Sequence, residues 1–232
     1  GEVDLYFVGF APDARRAGFV ADVDAARRAM DTRWRTTGRS LVLVNSPLTV
    51  ADRPFATITH LREVLLEIGD IIDADEDVVM IYLAGSPGAN HTLAAVNPPL
   101  ELVGLSPQGL RELLDAAGIR WRIVVVSTCE AGAWIDALQD ADTVVIASSA
   151  ADVRGNDCTG GLAPTSFGQA FFSDGMQRYD ELTRAFEVAR DRLAERHAAA
   201  PVMSMGPAIA EHLKTLKAKH ANRVAAGEAF GY

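Results

Sequence analysis

Residues 119–134 read IRWRIVVVSTCEAGAW, which places an unbroken apolar segment directly before a cysteine and a glycine-containing turn. A short continuous run rich in Val and Ile is typical of a strand that is buried on both faces of a parallel sheet. Comparable runs occur at 3–10 (VDLYFVGF), 40–45 (SLVLVN), 77–83 (DVVMIYL) and 143–148 (TVVIAS). The chain therefore predicts a largely parallel sheet in which the strand at 119–127 is one of five.

Segments with helical spacing separate these strands. They are predicted at 13–33 with Asp13 as the N-cap, at 56–68, at 106–117 with Ser106 as the N-cap and Gly118 after the end, and at 179–197. A short strand at 201–205 and a helix from Pro207 follow. This alternation predicts one α/β domain over residues 1–232, with helices on both faces of a sheet of about six strands. Because the chain begins almost directly with a strand, we expect it to be a trimmed part of a longer protein.

Composition excludes several classes of function. The net charge of −9 gives no electrostatic footprint for nucleic acid. Two cysteines do not form a disulfide framework or a zinc-ligand pattern, and we expect no metal and no cofactor. No run of 18 apolar residues is present, so no transmembrane segment is expected within the chain. We expect a soluble domain, cytoplasmic or periplasmic, that an upstream segment could tether.

Cys129 follows the strand at 119–127, at the edge of the sheet where parallel α/β proteins bind their ligands. A thiol here can reach into the crevice, and backbone N–H groups of the turn through Glu130 and Gly132 can face an oxyanion. The alternative is that Cys129 is packed in the core, as many cysteines are. A disulfide between Cys129 and Cys158 is a third possibility, but we expect free thiols.

Several segments together resemble the legumain (asparaginyl endopeptidase) family of cysteine peptidases, in particular its bacterial members. The segment VVVSTCEAGAWI resembles the family's nucleophile motif, a strand followed by A-C-[EY]-S-G. Further similar segments are VDLYFVGFAPDAR at 3–15, GRSLVLVN at 38–45, IASSAADVRGNDC at 146–158 and TSFGQAFF at 165–172. The resemblance implies a three-layer αβα caspase-like fold with Cys129 at the nucleophile position.

The residue that serves as the base in this family has no obvious counterpart. The family carries a His in an S-H-G turn after the third strand, where this chain reads YLAGSPGANH at 82–91. Counting from Tyr82 without a gap puts Ser86 at that position, and matching the Ser and Gly of the turn puts Pro87 there. Neither can accept a proton from a thiol. His91 is a possible substitute base, although a loop-bracing role fits it as well.

The resemblance also implies a substrate pocket built from Arg15, Ser148 and Gln169. Gln169 stands where the family motif T-Y-[LF]-G-[DE] has an acid, so the acidic half of such a pocket is weakened. An ordinary polar residue near the start of a helix is an equal alternative for Gln169.

Three functions follow from these observations. The first is a catalytically impaired pseudopeptidase that binds a peptide or protein partner, with a homodimer possible. The second is an active cysteine endopeptidase that uses Cys129 and His91. The third is a doubly wound nucleotide-binding domain, which is disfavoured because GSPG at 85–88 and CTGG at 158–161 match neither G-x-G-x-x-G nor the P-loop.

Overall fold

The computed structural model describes residues 4–155 and 161–215, and its centre is a six-stranded sheet with the order β2-β1-β3-β4-β5-β6. Each pair is parallel except β5 with β6, which is antiparallel. The strands are β1 Leu5–Ala11, β2 Ser40–Val44, β3 Val78–Ala84, β4 Trp121–Ser127, β5 Thr143–Ala147 and β6 Val202–Met205. The predicted mostly parallel sheet of about six strands is confirmed.

Helices cover both faces of this sheet. They are α1 Ala17–Arg33, α2 Ile58–Ile71, α3 Pro107–Ala116, α4 Ile135–Leu138, α5 Ser166–Gly168, α6 Leu182–Glu195 and α7 at residues 207–215. Short 3-10 helices lie at Ala89–His91 and Ala131–Trp134, and a π-helix at Gln169–Met176 continues α5.

Alternate residues of each central strand enter two separate hydrophobic cores, because side chains point to opposite faces of a sheet. In β4, Ile123 and Val125 join the core beneath α1 and α6, whereas Val124 and Val126 join the core beneath α2 and α3. All seven residues of β4 are buried. This two-sided burial explains the unbroken apolar run, and it fixes the carboxyl end of β4 in the middle of the sheet edge.

The predicted helix starts are confirmed in one case and wrong in another. The Ser106 side chain accepts a hydrogen bond from the Gly109 N–H, as an N-cap should, and Gly118 has a φ of +65° after the helix end. Asp13 does not cap α1, which begins four residues later after Arg16. The carboxylate of Asp13 is buried and is used elsewhere, at the edge of the sheet.

Within the described ranges, no helix is long and apolar enough to cross a membrane.

Candidate active site

The strand order of the sheet places three polar residues just beyond the ends of three neighbouring strands, β1, β3 and β4. Phe10 pairs with Leu83 between β1 and β3, and Ala84 pairs with Ser127 between β3 and β4. Asp13, Ser86 and Cys129 each lie two residues after the last residue of their strand. Beyond the strand ends the backbone pairing changes, since Asp13 pairs with Val96 and the Ser86 carbonyl accepts from the Ala94 N–H. The Gly85 N–H donates to the Ser127 carbonyl over 3.2 Å, so β3 and β4 stay bonded for one residue beyond Ala84. The edge thus carries the Asp13–Ser86–Cys129 row.

Asp13 supplies a carboxylate at one end of this row. It has no exposed surface, and its Oδ1 and Oδ2 accept hydrogen bonds from Nε and Nη2 of Arg15 over 3.0 and 3.1 Å. Burial raises the pKa of Asp13, but the hydrogen bonds from Arg15 and the Ser86 hydroxyl outweigh it and leave the pKa below its ordinary value. Asp13 is therefore a buried anion near neutral pH, with Ser86 beside it.

Cys129 lies at the other end, and a tight turn follows it. Glu130 has a φ of +55°, a left-handed conformation that is uncommon for a residue with a side chain. A Cβ added at Gly132 would lie 2.5 Å from the Ala151 nitrogen, so only glycine lets the turn pack against the chain after β5. The Ala131 N–H donates to the Ser149 hydroxyl over 3.3 Å. These contacts hold the turn in one shape.

His91 comes close to this turn from the loop after β3. Its Nδ1 lies 3.5 Å from Oε2 of Glu130, and both side chains are about half exposed, at 50% and 46%. Asn90 and His91 have φ values of +52° and +59°, like Glu130. Three residues with side chains therefore hold left-handed conformations on two touching loops, a kind of local strain that clusters at functional sites.

The expectation of free thiols is wrong. Cys129 is disulfide-bonded, and the described part of the chain contains no free cysteine. The sequence has only one other cysteine, Cys158, which lies outside the described residues. Cys129 is 7% exposed, and in the disulfide its sulfur carries no proton and cannot act as a nucleophile.

The three residues expected to shape a substrate pocket make contacts in three places. Arg15 binds Asp13 at the end of β1. The Ser148 hydroxyl donates to the Thr128 carbonyl over 3.2 Å, directly before Cys129. Gln169 is exposed at the start of the π-helix, where its Oε1 is 3.5 Å from Nη1 of Arg196. Ser148 thus bonds to the residue before Cys129, whereas Gln169 contacts Arg196, which follows α6.

Sequence reasoning missed a buried polar network beneath the cysteine strand. Asp22 on α1 accepts hydrogen bonds from the Tyr82 hydroxyl over 2.8 Å and from the Thr165 hydroxyl over 2.7 Å, and Thr165 is 3.3 Å from the Ser127 hydroxyl. Asp22 is 1% exposed. Burial, followed by the nearby charge of Asp22, raises the pKa of Tyr82 well above its ordinary value.

A signal for this network was present in the sequence. An aspartate and a tyrosine occupy apolar positions of a predicted helix and a predicted strand, and buried polar groups of this kind need partners. The sequence does not say which groups those partners are. A Cβ at Gly168 would overlap the Asp22 carboxylate, which explains the glycine in TSFG.

The fold and the cysteine at the end of β4 define a class, the caspase-fold proteins. The crystal structure of caspase-1 from Spodoptera frugiperda matches with a TM-score of 0.60 at 12% sequence identity, covering 88% of this chain and 87% of that one. A search among curated protein sequences gave no match. The model of the peptidase C13 family matches residues 50–208, more than half of the chain. The chain belongs to this family of legumain-like cysteine peptidases.

Proposed function

We propose that this chain is a non-catalytic member of the peptidase C13 family that binds a peptide or protein segment at the carboxyl edge of its sheet without cutting it. One observation carries the proposal: Ser86, two residues after β3, has its hydroxyl hydrogen-bonded to the buried carboxylate of Asp13. The hydrogen bond to Asp13 favours Ser86 over Pro87 as the position of the missing base. A serine hydroxyl does not accept a proton from a thiol near neutral pH.

The reduction in catalytic rate expected without an imidazole base supports a binding role. An ordinary thiol has a pKa of about 8.5, so only about 3% is thiolate at pH 7. A neighbouring imidazole both lowers that pKa and protonates the departing amine, and such acid–base help is typically worth about 10²–10⁴-fold in rate. Losing both roles leaves a trace of turnover at most. The disulfide at Cys129 removes even the thiol.

The proposal is tested by incubating the reduced protein with a broad peptide library and reading cleavage by mass spectrometry. Reduction is needed because Cys129 is disulfide-bonded. We expect no cleavage that differs between the native chain and Cys129→Ala. Labelling by iodoacetamide at pH 9 serves as the control that the thiol has been released. Efficient cleavage that disappears in Cys129→Ala overturns the proposal.

The contact between His91 and Glu130 favours a second candidate, an endopeptidase in which His91 is the base. A carboxylate 3.5 Å from Nδ1 orients the imidazole, and Glu130 directly follows Cys129 in the sequence. Because both side chains are half exposed, solvent weakens this pair considerably.

The second candidate makes its own prediction in the reduced protein. Iodoacetamide should label Cys129 rapidly near pH 6, and His91→Ala should slow the labelling by about tenfold or more. The matched control is His60→Ala, because His60 lies on the first turn of α2 and contacts Thr57. A labelling rate that follows an ordinary thiol titration in the native chain and both variants removes the candidate.

We infer one domain over residues 1–232 that could form a homodimer through an edge strand, since β2 and β6 end the sheet. Light scattering on the purified chain at two concentrations distinguishes monomer from dimer.

A further inference from the structure

The strand end that precedes Cys129 is held by a side-chain contact as well as by the backbone. On the backbone, the Gly85 N–H donates to the Ser127 carbonyl. The Ser127 side chain adds a contact of its own, since its hydroxyl lies 3.3 Å from the hydroxyl of Thr165. Both residues are buried, and Thr165 is the N-cap of α5. The contact therefore joins the last residue of β4 to the start of a helix that is distant in the sequence.

The Thr165 hydroxyl uses its full hydrogen-bonding capacity, one donated and two accepted bonds. It donates its only proton to Oδ2 of Asp22 over 2.7 Å, and it accepts from the Gly168 N–H over 2.9 Å. The Ser127 hydroxyl must therefore donate to Thr165. The Tyr82 hydroxyl donates to the same oxygen of Asp22 over 2.8 Å. We call the series the Ser127–Thr165–Asp22 link.

This link lies on the α1 face of β4. Side chains alternate along a strand, and Ile123 and Val125 enter the core beneath α1, so Ser127 points to the same side. Asp22 is a buried residue of α1. Ser127 is separated from Cys129 by one residue. The link therefore ties the approach to the cysteine to a helix that packs on the sheet.

We propose that Thr165 is a positioning residue for Cys129: its hydroxyl, oriented by Asp22, holds Ser127 and thereby holds the cysteine where its disulfide is favoured. A disulfide tolerates only a narrow range of Cα and Cβ separations, so fixing one cysteine in place favours the bond over two thiols. Loss of the link should make the disulfide easier to reduce. This role concerns the cysteine itself and does not require that the edge bind or cut a peptide.

The test is the thiol–disulfide equilibrium of the folded protein in glutathione buffers, approached from both directions and read by alkylation and mass spectrometry. Two glutathione thiols pass two electrons and two protons to the protein disulfide and become glutathione disulfide. The protein gains two thiols, one of them Cys129. Thr165→Val removes the hydroxyl at nearly constant shape. We expect the equilibrium constant to shift toward the thiols by about fivefold, the effect of one typical hydrogen bond.

This equilibrium separates positioning from ordinary stabilisation. A helix cap that matters equally in the oxidised and the reduced protein lowers the stability of both when it is lost, and the equilibrium constant does not change. Thr57→Val is the matched control, because Thr57 is the N-cap of α2 and its hydroxyl accepts from the His60 N–H. It should lower the melting temperature and leave the constant within about twofold of the native value. An equal shift in Thr57→Val overturns the inference.

Further variants trace the effect to Ser127. Thr165→Ser keeps the hydroxyl and should stay within about twofold of the native constant. Ser127→Ala removes the other end of the contact and should shift the constant as Thr165→Val does. The double variant should shift it no further than either single change, because both remove the same hydrogen bond. Additive shifts in the double variant, or a loss in Thr165→Ser as large as in Thr165→Val, overturn the inference.

Melting curves of the oxidised and the reduced protein show which variants fold. If Thr165→Val does not fold, Ser127→Ala decides, because it removes only one oxygen from the strand end. A native equilibrium constant in either folded variant overturns the inference. None of these measurements uses a peptide, so their failure leaves the proposed function standing, and cleavage of a peptide by the reduced protein leaves the positioning role standing.

Discussion

Replacing Ser86 with histidine should restore the chemistry that the Asp13–Ser86–Cys129 row lacks. Neighbouring strands lie about 4.8 Å apart, so a side chain at 86 stands between the β1 and β4 ends. A carboxylate already occupies the first of these ends and a cysteine the second. We expect an imidazole at position 86 to donate a hydrogen bond to the Asp13 carboxylate, which sets its tautomer. In the reduced protein its other nitrogen should then accept the proton of the Cys129 thiol.

The expected gain is at least about 100-fold in kcat/KM over the native chain. Pairing with an imidazolium lowers a thiol pKa from about 8.5 to between about 3.5 and 7.5, which alone raises the thiolate fraction from about 3% by up to about 30-fold. Protonation of the leaving amine adds to this, and the two roles together are typically worth about 10²–10⁴-fold. Ser86 is 9% exposed, so the larger ring must displace some neighbouring atoms.

The assay is cleavage of a fluorogenic peptide library by the reduced protein, with Ser86→His and Cys129→Ala combined as the blank. Pro87→His is the matched control, because it places the same ring one residue further along the loop. Adding Asp13→Asn to Ser86→His should lower the restored rate and shift its pH profile, since an amide does not stabilise the imidazolium. Melting curves check that each variant is folded.

Two results would refute the reasoning. One is a folded, reduced Ser86→His protein that cuts no faster than the native chain. The other is an equal gain with Pro87→His, because the contact with Asp13 at position 86 would then not decide where the base works.

Three further changes test the supports of the site. Gly132→Ala should cost about 1–3 kcal/mol, because a Cβ would lie 2.5 Å from the Ala151 nitrogen, and the melting temperature should fall by at least about 2 °C. Tyr82→Phe removes a hydrogen bond to the buried Asp22 and should lower the free energy of unfolding in urea by about 1.5–3 kcal/mol. Because folding raises the pKa of Tyr82, the stability that the native chain has below pH 10 is lost as the pH rises further. Tyr82→Phe should lose less stability over the same alkaline range. Folding lowers the pKa of Asp13 from 3.8, so its ionised carboxylate stabilises the native chain above that pH. This stability is lost as the pH falls further. In Asp13→Asn, the free energy of unfolding should therefore depend less on pH in the acid range.

The positions of most elements could be predicted from the sequence, since local patterns alone specify them. The five parallel strands and the main helices lie within a few residues of their predicted bounds, because burial on both faces demands unbroken apolar runs. The N-cap Ser106 was predictable because its hydrogen-bond partner, Gly109, is only three residues away in the sequence. Asp13 was wrongly predicted as the N-cap of α1 because an acid shortly before a helix often caps it. In the structure its carboxylate instead binds Arg15 and the distant Ser86.

The sequence by itself also determined which residues follow the third strand, Ser86 and Pro87 among them, because residue identity needs no coordinates. Only the tertiary structure decided which side chains surround these residues. The pairing of β1, β3 and β4 brings Asp13 beside Ser86, and the folding of two loops brings His91 to Glu130. It also joined Cys129 in a disulfide where free thiols were expected. Such contacts link residues tens of positions apart, and sheet order and register, which no local pattern encodes, determine them.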